Sequence, residues 1–217
     1  AILSAGLDVK WFCTARTEKG FTPEVLHKMY RAGVTMVMWG IESGSKRLLK
    51  LMKKGISPKG RLDILRASAD AGLWNFAYIF FGFPTETEAE AMATIDLVRE
   101  NTDIIHSYGR SIFTLGKHSP LMEDRNHYGI FNVVEEDEQF STNLSHENIS
   151  GMNGEELMRI GEVCTTLCRE AYGDPLWMTL RSRESLHLYL AEHGRDYVQS
   201  YRFGEGDASD RDAAFVF

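Results

Sequence analysis

Cysteine is scarce. The 217 residues hold three, Cys13, Cys164 and Cys168. An odd number argues against a disulfide framework, and the reducing cytoplasm is the expected compartment. Long apolar runs are missing too. The most apolar stretch, Leu73 to Phe83, is about half of the roughly 18 residues a bilayer span needs, so no membrane partner is expected. Ala1-Ile2-Leu3 lacks both an initiator Met and the basic start of a secretory leader, which fits a fragment or a processed product. Positive charge is in deficit, with a formal net charge of −7. Phosphate recognition wants a basic face, so no nucleic-acid partner is expected. The one basic cluster, Lys46, Arg47, Lys50, Lys53 and Lys54, reads as a solvated helix face. No GxGxxG, P-loop or GxSxG occurs, and the seven histidines show no HxxxH spacing, so no metal ligand is assigned.

What is present is an alternation of strand and helix signals over the first 115 or so residues. Asp8 to Arg16 reads as a strand. Thr22, Pro23 and Glu24 open a helix with Val25, Leu26, Met29 and Tyr30 on its apolar face, and Gly33 ends it. Val34 to Ile41 is continuously apolar, as in a strand buried on both faces of a parallel sheet. Helical stretches from Ser45 to Met52 and from Ser57-Pro58 to Gly72 follow, then a buried strand from Leu73 to Phe83. Thr87 with Glu90 forms a capping box, and a fourth strand falls within Ile104 to Leu115, with His106 expected at its exposed end. The order β-α-β-α-β-α-β makes a parallel sheet with its helices outside, either half of a barrel or most of a small open sheet. Residues 121–151 are polar, with the acidic run Glu135 to Glu138, and read as a loop or linker. Residues 152–203 read as helical. Asn153 and Glu156 box the first helix, whose stripe includes Cys164 and Cys168 as small core residues, and a second runs from about Arg183 to Ser200. The Gly- and Asp-rich residues 204–217 read as a flexible tail.

Ligands of parallel α/β folds bind at the C-terminal strand ends. Those ends carry Thr14-Ala15-Arg16, Gly40 to Ser45, Gly82 to Thr87, and Gly116 to Pro120. A carboxylate at Glu42 can accept two hydrogen bonds from a ribose diol or neutralise an ammonium group. Ser43 and Ser45 precede a helix, whose N-terminus favours an anion. The plainer alternative is that one of these serines caps the helix and Glu42 pairs with a nearby lysine. Gly82-Phe83-Pro84 by itself reads as a tight structural turn.

Gly40-Ile41-Glu42-Ser43-Gly44-Ser45, then Met52, Lys54, Gly55 and Ala71-Gly72, then Ile79-Phe80-Phe81-Gly82-Phe83-Pro84-Thr85-Glu86-Thr87, together resemble the radical S-adenosylmethionine (SAM) superfamily. The pattern is that of the subclass which often carries a cobalamin-binding domain. The resemblance covers roughly residues 8–130. It implies an α/β fold, a partial (β/α)6 TIM-like barrel holding about strands 3 to 6, with an α-helical C-terminal extension. Residues 1–120 would be the barrel half. The resemblance further places Glu42 near the SAM ribose, Ser43 and Ser45 at polar SAM contacts, and Arg16 near the SAM carboxylate. Ile79 and Gly82 would lie on the segment lining the adenine. The cofactors implied are SAM and a 4Fe–4S cluster, with cobalamin open.

The family holds its cluster through CxxxCxxC, and this sequence contains no such motif. The expected reading is therefore a fragment, inactive alone, of a radical SAM transferase or oxidoreductase. The parent would cleave SAM reductively to a 5′-deoxyadenosyl radical, or transfer a methyl group through cobalamin. Its partners would be a small-molecule or peptide substrate and an electron donor such as flavodoxin or ferredoxin. Two rivals remain. One is an iron-free α/β-barrel enzyme using Lys117 and His118. The other is a non-catalytic module that binds SAM or a nucleotide.

Overall fold

A computed structural model describes residues 1–134, 142–180 and 182–201. In chain order its elements are α1 (Ile2–Ala5), β1 (Trp11–Arg16), α2 (Pro23–Arg31), β2 (Val34–Glu42), α3 (Lys46–Leu51), α4 (Pro58–Asp70), β3 (Trp74–Phe81), α5 (Glu88–Arg99), β4 (Ser107–Ile112), β5 (Leu115–Gly116), β6 (Ile130–Val134), β7 (Asn143–Asn148), α6 (Gly154–Tyr172), α7 (Arg183–His193) and α8 (Arg195–Ser200). Local chemistry starts the helices where the sequence indicates. Thr22, Ser45 and Ser57 each accept from a backbone N–H in the first turn, and Thr87–Glu90 and Asn153–Glu156 both close as capping boxes.

The sheet has the order β1-β2-β3-β4 with every pair parallel, four neighbouring strands of a (β/α) barrel wall. Strand alternation divides its side chains between two cores. Val37, Trp39, Ile41, Ala77, Ile79 and Phe81 pack with α2, α4, α5 and α6. Met36, Met38, Trp74 and Phe76 face the other way and are covered by Leu176, Leu186, Leu190 and Val198 from the C-terminal region. α7 and α8 therefore lie across the inner face of the barrel wall, while α6 packs on its outer side.

Asn75 of β3 locks the outer core. Its amide nitrogen donates to Leu65 O at 2.7 Å and Ile104 O at 2.8 Å, and its Oδ1 accepts from Trp39 Nε1. The Asn75 backbone N–H donates to His106 Nδ1 at 2.9 Å. His106 is 4% exposed, not the surface residue expected, because its ring serves as the acceptor for a strand-end amide. Burial, with Arg195 nearby, lowers its pKa to about 4.

Three expectations change. Residues 121–151 are not simply linker: β6 and β7 lie there and pair antiparallel with each other, and β7 also pairs with β5. They bury Tyr128, Ile130 and Leu144 against Leu48, Phe83 and Leu115, apolar positions too widely spaced to show as a strand pattern. The single helix expected from Arg183 to Ser200 is broken at Gly194, whose φ of 79° and ψ of 167° no helix contains. The first strand is shorter than Asp8 to Arg16, starting at Trp11. The acidic run Glu135 to Glu138 and the tail 204–217 lie outside the described residues.

Candidate functional site

The C-terminal ends of β1, β2 and β3 come side by side. Arg16 is paired in register with Gly40, Gly40 with Tyr78, and Glu42 with Ile79 after a register shift between Gly40 and Glu42. The shift leaves Glu42 with a φ of 68°, in the left-handed region that a non-glycine residue rarely occupies. Lys54 Nζ donates to its Oε1 at 2.6 Å. A Cβ on Gly40 would stand 2.7 Å from the same oxygen, so a larger residue there would make the Glu42 carboxylate shift from this position.

Around Glu42 the charge is mostly positive. A cavity of about 260 Å³ is lined by Arg16, Gly40, Lys54, Ile56 and Arg61, among others. Arg61 is 2% exposed. It donates to the backbone carbonyls of Ile41 and Lys54, while its buried Nε has no partner among the described residues. Burial lowers the Arg61 pKa, and the Glu42 carboxylate opposes that shift. Arg16 is largely exposed, near Glu18 at 3.7 Å.

Ser43 and Ser45 turn elsewhere. The Ser43 hydroxyl meets Thr94 Oγ1 at 3.1 Å and accepts from Ser45 N, and Gly44 N donates to Thr94 Oγ1. Ser45 donates to Glu90 Oε1 at 2.7 Å and caps α3 through Leu48 N. Gly44 permits this approach, since a Cβ there would fall 2.3 Å from Ala93 O on α5. The plainer sequence alternative thus describes these contacts: a serine caps the helix and Glu42 pairs with a lysine. Ile79 is buried, with its side chain in the outer core, and Gly82 (φ 81°) opens the loop beyond β3.

Two residues to which the sequence pattern gave only a solvated helix face (Arg47) and a capping box (Glu90) also tie the loops together. Arg47 engages both Glu90 oxygens, at 2.8 and 2.6 Å, and also the hydroxyl and carbonyl oxygens of Thr85. The Arg47 hydrogen bonds hold the Glu90 carboxyl down at about 2. Glu90 therefore joins the 40–45 loop to the 82–87 loop. Beneath the second loop, Glu86 is 1% exposed and its Oε2 accepts from Gly82 N at 2.5 Å, while its Oε1 has no partner among the described residues. Burial pushes its pKa up to about 7 against the pull of the Gly82 and Phe83 amides.

Residues 3–98 match the radical SAM superfamily. Over this stretch, under half of the chain, the sequence is similar to that superfamily. The match spans β1 to α5, the elements that build this mouth. An uncharacterized methyltransferase of Pyrococcus horikoshii is 34% identical over 99 residues, 46% of this chain and 21% of that protein. A tRNA-2-methylthio-N(6)-dimethylallyladenosine synthase of Saccharopolyspora erythraea is 37% identical over 83 residues, 36% of this chain and 15% of that one. The chain thus spans about a fifth or less of the curated relatives it matches. In fold, it resembles the radical SAM methyltransferase TsrM of Kitasatospora setae, with a TM-score of 0.58 at 15% identity, covering 95% of this chain and 44% of that one. The partial-barrel reading of the radical SAM sequence pattern holds.

The superfamily implies SAM and a 4Fe–4S cluster. The residues at the mouth fit SAM. Glu42, held by Lys54 beside the cavity, offers a carboxylate suited to a ribose diol. Arg16, Lys54 and Arg61 in the cavity lining offer cations suited to the amino-acid carboxylate, with the buried Arg61 Nε without a partner among the described residues. The chain's cysteines do not fit the cluster. Cys13 sits within β1, Cys164 and Cys168 are buried in the outer core, and no three ligating side chains gather among the described residues.

Proposed function

We propose that this chain forms the SAM-binding side of a radical SAM enzyme whose cluster is held by residues other than those described. The observation that carries the reading is Glu42, a carboxylate fixed in left-handed backbone at a barrel strand end, beside a cationic cavity. SAM held here would supply radical or methyl-transfer chemistry once the cluster bound elsewhere in the enzyme was in place, and the residues of this chain would hold and orient it. Glu42 accepts from the ribose hydroxyls and shares its charge with Lys54. Arg16 takes the amino-acid carboxylate, with the buried Arg61 adding positive potential. The Ile79 to Gly82 segment offers its backbone to the adenine. Ser43 and Ser45 act through the loop, holding Glu42 in place by way of Thr94 and Glu90. They are positioning residues in this reading, not SAM contacts.

For the whole protein, the reading is a transferase. The names of its relatives, a methyltransferase and a methylthio-adenosine synthase, support that class. Cobalamin enters the proposal through the 40–55 and 79–87 pattern, which resembles the cobalamin-type subclass. The TsrM structure of similar fold holds cobalamin and a 4Fe–4S cluster. An electron donor such as flavodoxin or ferredoxin completes the set. Among the described residues no helix is long and apolar enough to cross a membrane. The iron-free rival gains little: Lys117 and His118 follow β5, a strand of the antiparallel sheet, and do not stand at the end of any of the four parallel strands.

Isothermal titration of this chain with SAM tests the reading. Binding is expected, and Glu42→Gln should weaken it by about tenfold or more, the worth of a charge-assisted hydrogen bond. A correctly folded chain that takes up no SAM would sink the proposal. In the full gene product, reconstituted without oxygen, reductant-dependent release of 5′-deoxyadenosine or S-adenosylhomocysteine should fall in the same variant.

A further inference from the structure

A second cleft, of about 650 Å³, opens where the barrel wall meets the C-terminal region, and much of its lining lies beyond the superfamily match. β4 pairs only with β3 among the described strands, so its other edge has no strand partner there. Four aromatic side chains line the cleft: Phe76, Tyr78, Tyr108 and Trp177, the last two in edge contact at 5.4 Å. Three arginines, Arg110, Arg169 and Arg183, reach into it from β4, α6 and α7.

The partners of those arginines set the ligand's charge. Arg47, Arg66, Arg99 and Arg159 each meet a carboxylate elsewhere on this acidic chain, and Arg169 is held by Asp174 at 3.4 Å. Arg110 and Arg183 form no ion pair among the described residues. Arg110 Nη2 donates to the Thr165 hydroxyl at 3.3 Å. Arg183 lies over the Tyr78 ring, 5.3 Å from its centroid, and donates to its phenol oxygen. Glu184, the acidic residue in the lining, is engaged first by its own helix N-terminus, then by Ser182, with a smaller pull from the neighbouring Arg183 charge, all lowering its pKa. Two fork-shaped guanidiniums bonded only to neutral oxygens retain donors for a carboxylate, and the aromatic walls favour a flat, apolar body. The volume suits one small molecule.

We infer that this cleft binds a planar organic carboxylic acid, its carboxylate on Arg110 and Arg183 and its flat body against Tyr78, Tyr108 and Trp177. The inference does not rest on the SAM reading. The test uses 2-naphthoate as probe and its neutral isostere 2-naphthamide as control, both titrated calorimetrically into this chain, with SAM titrated in parallel. The acid should bind about tenfold or more tightly than the amide. Arg110→Gln and Arg183→Gln should each weaken the acid about fivefold or more while the amide is unaffected, and Arg110→Lys should restore part of the loss. Thermal melting of each variant checks the fold. Equal binding of acid and amide, no binding of the acid, or acid binding untouched by both glutamine variants overturns the inference. A failed SAM titration beside intact naphthoate binding would count against the SAM proposal alone.

Discussion

At the residue scale, Glu42 carries strain where a glycine would be at ease. A left-handed conformation costs a non-glycine residue roughly 1–2 kcal/mol. The Lys54 partner returns part of that, about 1 kcal/mol or less at side-chain exposures of 26% and 16%. Glu42→Gly should therefore leave stability within about 1 kcal/mol of the parent in urea unfolding, although it deletes an ion pair. SAM affinity in the same variant should collapse. A clear stability loss with SAM binding intact would make the Glu42–Lys54 pair a structural brace. Sequence spacing put Glu42 at the mouth. It could not show whether the carboxylate faces the mouth or a lysine, because that choice depends on the bulge at Ile41 and on where Lys54 returns from α3.

At the element scale, the two signature loops act as one unit because Glu90 bridges them. It closes the α5 capping box, accepts from Ser45 and binds the Arg47 fork. Glu90→Ala removes a cap and a charge-assisted pair together, which should cost about 2 kcal/mol by chemical denaturation. The loss should be larger than for Glu88→Ala one turn position away, whose partner Arg159 is more than half exposed. Equal losses would show that the bridge contributes nothing beyond helix-end charge. The capping box was legible in Thr87-x-x-Glu90. The bridge was not, since it joins residues 38 and 43 positions apart, brought together only by the β2-α3 and β3-α5 packing.

For the whole molecule, two buried titratable groups oppose each other in mild acid. His106, with its pKa lowered to about 4, stays neutral in the fold, so the unfolded chain binds the extra proton between about pH 4 and 6.5 and stability rises with pH there. Glu86, raised to about 7, holds its proton in the fold, so stability falls as pH rises from about 4.5 to 7. The parent's stability should therefore be nearly flat between about pH 4.5 and 6.5. Glu86→Gln should expose a rising slope and His106→Gln a falling one, read from denaturation midpoints at several pH values. Flat profiles in both variants would mean that neither group is buried as described.

The sequence by itself determined the alternation of strands and helices, the helix starts, the parallel sheet and the superfamily pattern, because these follow from local periodicity, capping chemistry and short motifs. Tertiary structure alone decided that Ser43 and Ser45 serve α5 and α3, that His106 is an interior acceptor and that residues 130–148 form strands. It also decided that two arginines converge on an aromatic cleft at the β4 edge. Those outcomes depend on which side chains meet across the fold, and a contact between residues 105 positions apart, such as Arg183 with Tyr78, leaves no mark in either local pattern.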